Sequence, residues 1–114
     1  MRLSDCLESV DAISSYAARA SRTDFLTTRM MRSAIEREIE IIAIALKRAA
    51  VLNRDVPVRI SAYRKIVGMR NRIAHEYQQI DYEIVWDVVQ YDLVDLRSEL
   101  SELLQEAGDR PTES

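Results

Sequence analysis

The sequence predicts an all-α protein. Only two glycines and two prolines interrupt its 114 residues, and apolar residues recur almost throughout at the three- and four-residue spacing of an amphipathic helix. Hydrophobic residues make up 47% of the chain, which suits the core of one modest domain. We therefore expect an antiparallel four-helix bundle over residues 1–108, with room for short extra helical turns, and a disordered tail over residues 109–114.

The first two predicted helices each follow a residue that can cap a helix. Ser4 can accept hydrogen bonds from free backbone N–H groups, and the helix after it has one apolar face, formed by Leu7, Val10, Ile13 and Ala17. Thr23 or Asp24 can cap a long second helix that continues to about Leu52, where residues 53–57 break the chain.

The third and fourth helices complete the predicted bundle. The third runs from about residue 58 to residue 75. The fourth begins at Asp81, where Ile80 and Val85 occupy the two positions of a hydrophobic staple. It continues to about Ala107, and Gly108 is predicted to stop it.

The middle of the second helix is apolar nearly all the way round. Residues 39–46 read IEIIAIAL, whereas a helix of a small bundle normally buries one face and exposes the other. The pattern predicts a second partner surface outside the protomer, and a two-fold homodimer is the commonest closed assembly that supplies one. The alternative is a central helix that is fully covered within one chain.

The net charge of −3 conceals an uneven distribution along the chain. Residues 1–55 carry a balance of +1, residues 56–75 carry five basic side chains and no acid, and residues 76–114 carry a balance of −9. A basic segment of this kind suits a phosphate-bearing partner. The alternative is a solvated basic face that serves solubility.

Several classes of protein are excluded by what the sequence lacks. Cys6 is the only cysteine, so neither a disulfide framework nor a cysteine-based zinc site is available. No P-loop, GxGxxG or HExxH motif occurs. The longest uninterrupted apolar run, residues 41–46, is far shorter than the ~20 residues that span a bilayer. We expect a soluble, cytoplasmic protein with no membrane partner and no cofactor.

Metal chemistry is also disfavoured by spacing. A di-iron bundle needs Glu-x-x-His, but the residue three before His75 is Arg72. Glu36 and Glu40 stand one helical turn apart and could hold a cation, although such acids are more often a solvated face. No metal site is predicted.

The stretch MRNRIAHEYQQID, residues 69–81, contains the only histidine of the chain. Asn71 and His75 share a helix face, whereas Arg70 and His75 differ by about 140° in azimuth on an ideal helix. Arginine binds phosphate bidentately, and an imidazole with an ordinary pKa of about 6.5 can transfer protons at neutral pH. The set suits metal-independent cleavage of RNA, whose own 2′-hydroxyl is the nucleophile. The alternative is a histidine that caps a helix or fills the core.

At these residues the chain resembles a known family. GMRNRIAHEY followed by IDYEIVWDVVQYDLVDL looks like the HepT-like branch of the HEPN superfamily, whose mark is Arg, four residues, His, one residue, Tyr, and then a V-D-x-x-x-V-W helix. The earlier IEREIEIIAIALKRA is similar to the family's V-x-R-N-L-E-I-I-G-E-A-x-K-R. The resemblance covers roughly residues 5–104. The chain departs from it at Ala43 and Ile44, where the family has Gly-Glu, and at Val94, where the family has proline.

The resemblance implies a HEPN-type bundle that acts as a homodimeric endoribonuclease toxin, with the active site in the cleft between protomers. Arg70 and His75 would be catalytic, Asn71 would orient them, and the basic segment would bind RNA phosphates through Arg64, Lys65 and Arg72. The family belongs to type VII-like toxin–antitoxin systems, and tRNA is a candidate substrate.

The resemblance also implies a partner. An MntA-type nucleotidyltransferase antitoxin would transfer AMP to Tyr77 and so neutralise the nuclease. The alternative function is a non-catalytic HEPN module that binds nucleotide or substrate for a nucleotidyltransferase.

Overall fold

The computed structural model describes residues 2–74 and 80–109, and every regular element within those ranges is a helix. This confirms the all-α prediction. In chain order the elements are α1 Leu3–Ala18, α2 Arg22–Thr27, α3 Arg29–Leu52, α4 Val56–Arg59, α5 Tyr63–Ala74, α6 Tyr82–Asp87, a π-helical turn Val88–Asp92, and α7 Leu93–Asp109.

The first helix begins one residue earlier than its predicted cap. Ser4 lies inside α1, and Arg2 is the N-cap residue. The backbone N–H of Arg2 donates to the carboxylate of Asp5 at 2.6 Å. An acid in the first turn thus satisfies a backbone donor at this end, so no hydroxyl cap is needed.

The predicted second helix is two helices. Ser21 caps α2 by accepting from the Asp24 backbone N–H at 3.1 Å, while the Asp24 carboxylate accepts from the Ser21 N–H at 2.9 Å. The predicted caps Thr23 and Asp24 are therefore wrong, because both lie inside α2 and Asp24, its third residue, completes a reciprocal capping box with Ser21. Thr28 is extended and separates α2 from α3. The break turns α2 so that Phe25 is fully buried and stacks on Trp86, with 5.2 Å between ring centroids.

The third predicted helix is divided into α4 and α5, and the connection before it is shorter than predicted. The α3 helix ends at Leu52 as predicted, and Asn53 follows as its C-cap. Pro57 does not belong to the break, because it lies in the first turn of α4, where a missing N–H costs no hydrogen bond. Between α4 and α5, Ser61 donates its N–H and its hydroxyl to Glu99 of α7 at 3.1 and 3.2 Å.

The last helix starts as predicted and then departs from the prediction twice. Asp81 caps it by accepting from the N–H groups of Glu83 and Ile84 at 3.0 and 3.4 Å. Its regular α-helical hydrogen bonding is replaced by a π-helical turn over Val88–Asp92. Gly108 does not end the helix, which continues to Asp109, because this glycine keeps a negative φ. Of the predicted tail, residues 109–114, Asp109 is the last residue of the helix, and residues 110–114 lie outside the described residues.

Helix α3 is the central element of the core. It packs against α1, α5, α2 and α4, and five residues of the apolar stretch 39–46 are buried, namely Ile39, Ile42, Ala43, Ala45 and Leu46. Ile41 and Ile44 are half-buried. Most of this stretch is therefore covered by its own chain, which is the alternative to the predicted contact with a second protomer. Within the described ranges, no helix has the length and apolar character needed to cross a membrane.

Candidate functional site

Helix α5 carries the described part of the predicted site, and its buried side fixes how the other residues point. Ile66 and Met69 are buried in the core against α3, and Ile73 is half-buried against it. The periodicity of 3.6 residues per turn then places Arg70 beside the buried stripe and Asn71 away from it. Accordingly, Arg70 is half-buried and Asn71 is exposed.

Arg70 has an unusual environment for a surface helix. Its Nε atom is inaccessible to solvent and has no hydrogen-bond partner among the described residues. A guanidinium stays charged at all physiological pH values, and a buried donor without a partner destabilises the fold. Folded proteins usually satisfy such groups with protein, water or ligand atoms. An anionic ligand is the partner that a guanidinium fits best.

The three basic residues predicted to bind phosphate do not share one surface. Arg64 lies seven residues before Asn71, so the two point in nearly the same outward direction, and Arg64 is exposed. Lys65 and Arg72 are likewise seven residues apart and occupy a flank of the helix. On that flank the Lys65 ammonium pairs with the Asp92 carboxylate of the π-helical turn at 3.1 Å. The described residues place no carboxylate within ion-pair distance of Arg64 or Arg72.

His75 and Tyr77 lie outside the described residues. The described part of helix α5 extends to Ala74, the residue directly before the histidine. Their predicted roles therefore still rest on the sequence, whereas the positions of Arg70 and Asn71 rest on the structure.

A polar cluster that the sequence did not predict joins α3 to α6. The Arg32 guanidinium lies 4.9 Å from the centre of the Tyr82 ring and donates to the Leu26 carbonyl at 2.6 Å. Burial raises the pKa of Tyr82, and the Glu36 carboxylate raises it further as a hydrogen-bond acceptor and neighbouring charge. One oxygen of Glu36 is buried without a hydrogen-bond partner among the described residues. Glu36 is thus not the solvated acid that its spacing suggested.

The pairing of Glu36 and Glu40 into a cation site is not supported by their surroundings. Glu40 lies 3.7 Å from Arg37 in an i, i+3 ion pair, while Glu36 faces Tyr82. Over the described ranges, no group of three or more His, Cys, Asp or Glu side chains is close enough to hold a metal ion. The polar cluster of Arg32, Glu36 and Tyr82 has no complete signal in the sequence, because Tyr82 comes from α6 and the other two residues come from α3.

The fold and the basic helix define a class of protein, an all-α bundle whose basic helix carries a partly buried arginine. The family model described as "Ribonuclease HepT-like" matches residues 6–103. The chain belongs to this HepT-like ribonuclease family, which confirms the resemblance and supports the predicted ribonuclease activity.

Individual relatives agree with the family match. A "Putative RNase" of Methanocaldococcus jannaschii is 25% identical over 104 residues, covering 91% of this chain and 85% of the relative. The "Probable ribonuclease HepT" of Thermococcus cleftensis is 26% identical over 105 residues, covering 89% and 91%. A longer protein of M. jannaschii, "Gamma-glutamylcyclotransferase and putative RNase", is 29% identical over 104 residues, which are 91% of this chain but only 46% of that protein. No solved structure shows a significant match.

Proposed function

We propose that the chain is a metal-independent endoribonuclease toxin of a type VII-like toxin–antitoxin system, acting in the cytoplasm. The observation that carries the proposal is the Arg70 guanidinium, whose Nε is buried without a partner among the described residues, five residues before the only histidine of the chain. Family membership supports ribonuclease chemistry. A transfer RNA is a candidate substrate.

The proposed reaction needs only proton transfer and charge stabilisation. A His75 imidazole accepts the proton of the RNA 2′-hydroxyl, and the 2′-oxygen forms a bond to the adjacent phosphorus. The bond from phosphorus to the 5′-oxygen breaks, and that oxygen leaves with a proton donated by an imidazolium. The products are a 2′,3′-cyclic phosphate and a 5′-hydroxyl. Arg70 stabilises the charge that develops on the phosphoryl oxygens, and Asn71 orients the reacting groups.

The active form is proposed to be a two-fold homodimer in which the α5 helices of two protomers form one cleft. A single chain offers one histidine for two proton transfers, so a shared cleft would supply an acid and a base at once. Light scattering on the purified protein tests this assembly. A monomer at micromolar concentration would count against a composite cleft.

The test of the proposed activity is RNA cleavage in excess EDTA by the wild-type protein and by His75→Ala. We expect cleavage to survive EDTA and to fall ~100-fold or more in the variant, since general acid–base catalysis typically contributes that much. The identically purified variant also controls for contaminating nucleases, and circular dichroism checks that it is folded. A folded His75→Ala protein that cleaves as fast as the wild type would refute the catalytic role.

Neutralisation is proposed to occur by AMP transfer to Tyr77 from a cognate MntA-type nucleotidyltransferase. The added group would place a bulky anion near Arg70, where it competes with RNA phosphate. With ATP and an active partner, we expect mass spectrometry to show one or more AMP additions that Tyr77→Phe abolishes. Tyr91→Phe is the matched control, because Tyr91 is 72% exposed on the last helix and available to any unselective transferase. An adduct at another residue would contradict this role for Tyr77.

A further inference from the structure

One end of the bundle exposes a group of branched apolar side chains. Val51 and Leu52, the last residues of α3, are 83% and 90% exposed, and Val58 of α4 is 82% exposed. Only residues 53–55 separate the two helices. We refer to Val51, Leu52 and Val58 as the end patch. Single exposed apolar residues are ordinary on protein surfaces, but several at one end of a bundle, one of them lining a cavity, indicate a contact surface.

The end patch adjoins a cavity with basic side chains at its edge. The cavity has a volume of about 290 Å³ and lies between the start of α1 and the end of α3, with Leu3, Leu52 and Val56 among its apolar lining residues. Arg2 and Arg48 also line it, and both are exposed. An occupant of this end therefore needs apolar side chains together with negative charge.

The last helix of the same chain presents that combination. Between residues 82 and 109 it carries eight acidic residues and one basic residue. Tyr91 and Val94 are 72% and 64% exposed on it, and Asp87 and Asp95 beside them are also exposed. We refer to Asp87, Tyr91, Val94 and Asp95 as the acidic face.

The end patch and the acidic face lie on neighbouring elements but cannot meet within one chain. Helix α4 is tied to the last helix by an ion pair between Arg59 and Glu106. Val94 lies twelve residues before Glu106, which corresponds to about 18 Å along a helix. An antiparallel copy related by a two-fold axis would place each end patch on the other copy's acidic face, so that both contacts form at once.

We propose that the end patch binds the acidic face of a second copy of this chain in a reciprocal, salt-sensitive contact. The contact lies away from the cleft proposed for catalysis, because the arginine and asparagine of the candidate site are about 10–12 Å along α5 from the end of that helix next to α4. It would therefore add to a dimer formed through α5 and does not depend on ribonuclease activity. Charge complementarity of this kind steers and orients association more than it strengthens it.

Sedimentation velocity tests the contact on the full chain. We expect the wild-type protein to associate with rising concentration in 0.1 M NaCl and to lose part of this association in 1 M NaCl, where the screening length falls from about 10 Å to about 3 Å. Val58→Glu should lose the salt-sensitive association. Met30→Glu is the matched control, because Met30 is also 82% exposed but lies at the start of α3, away from the patch. Equal effects of the two variants would overturn the proposal.

Disulfide cross-linking tests the reciprocal geometry independently of affinity. Val58→Cys and Val94→Cys should cross-link when mixed and cross-link poorly when each is alone. The native Cys6 does not interfere, because it is fully buried and burial raises the pKa of its thiol to about 12. Cross-linking of Val58→Cys with itself in preference to the mixture would overturn the proposal. So would binding of the wild type to phosphatidylglycerol vesicles without any self-association, which would assign the end patch to anionic lipid.

Discussion

Arg64 and Lys65 are adjacent in the sequence, yet α5 presents them to different surroundings. Arg64 points outward in the direction of Asn71, and no described carboxylate lies within ion-pair distance of it. Lys65 points to the flank, where Asp92 of the π-helical turn holds its ammonium at 3.1 Å. The charge count of residues 56–75 treats the two as equal.

The difference shows that basic residues that are close in the sequence do not all contribute to one basic surface. The acids that balance the chain come from the last helix, and that helix packs where it can reach some of the cations and not others. It pairs with Lys65 through Asp92 and with Arg59 through Glu106. Among the described residues of α5, Arg64 on the outward side, Arg72 on the flank and the partly buried Arg70 have no carboxylate within ion-pair distance.

The largest effect is expected at Arg70, which lies neither on the outward side of α5 with Arg64 nor on the flank with Lys65. Arg70→Ala should lower kcat/KM for RNA by ~100-fold or more, as the removal of one preorganised donor typically does. Its unfolding free energy should stay the same or rise, because the variant removes a buried donor without a described partner. Activity and denaturant unfolding measured on the same preparation check both. A loss of activity that is matched by a loss of stability would mean that Arg70 is structural.

A smaller effect is expected when the outward side and the flank of α5 are compared directly. In the inactive His75→Ala background, Arg64→Ala should weaken RNA binding and reduce the salt dependence of log Kd by about one phosphate contact. Lys65→Ala should do less of both, because removing Lys65 also releases Asp92. Fluorescence anisotropy over a series of NaCl concentrations measures the two slopes. Equal slopes for the two variants would show that the Asp92 pair does not distinguish them.

Much of the fold could be predicted because its signals are local. The end of α3 at Leu52 follows from the residues after it, and the Asp81 cap follows from an acid before an apolar helix. The capping box of Ser21 and Asp24 was also visible in the sequence, although the predicted cap was placed too late. The break at Thr28 was not visible, because it depends on Phe25 reaching Trp86, sixty-one residues away.

The candidate site also combines features that a local sequence pattern predicts with features that depend on distant residues. The sequence predicted that Arg70 does not share the helix face of Asn71, and the structure agrees, with Arg70 half-buried beside the buried stripe and Asn71 exposed. The pair between Lys65 and Asp92 joins residues that are 27 positions apart and depends on the π-helical turn, so no local pattern could predict it. The catalytic role of His75 and the AMP acceptor role of Tyr77 remain predictions from the sequence.

The smallest effect is expected from Asp92→Asn, which would make the flank resemble the outward side of α5. The Lys65 side chain is 55% exposed and that of Asp92 is 26% exposed, and ion pairs near the surface contribute about 0–1 kcal/mol. The variant should therefore lower stability by no more than about 1 kcal/mol and tighten RNA binding by up to about fivefold. Asp95→Asn removes an exposed acid from the same helix and controls for net charge alone. In the double variant Asp92→Asn with Lys65→Ala, the gain in affinity should disappear, because the freed ammonium is absent. Two results would contradict this expectation: an equal gain in affinity from Asp95→Asn, or a gain that persists in the double variant. Either would mean that RNA binding on this flank is limited by repulsion from the whole last helix and not by the pairing of Lys65.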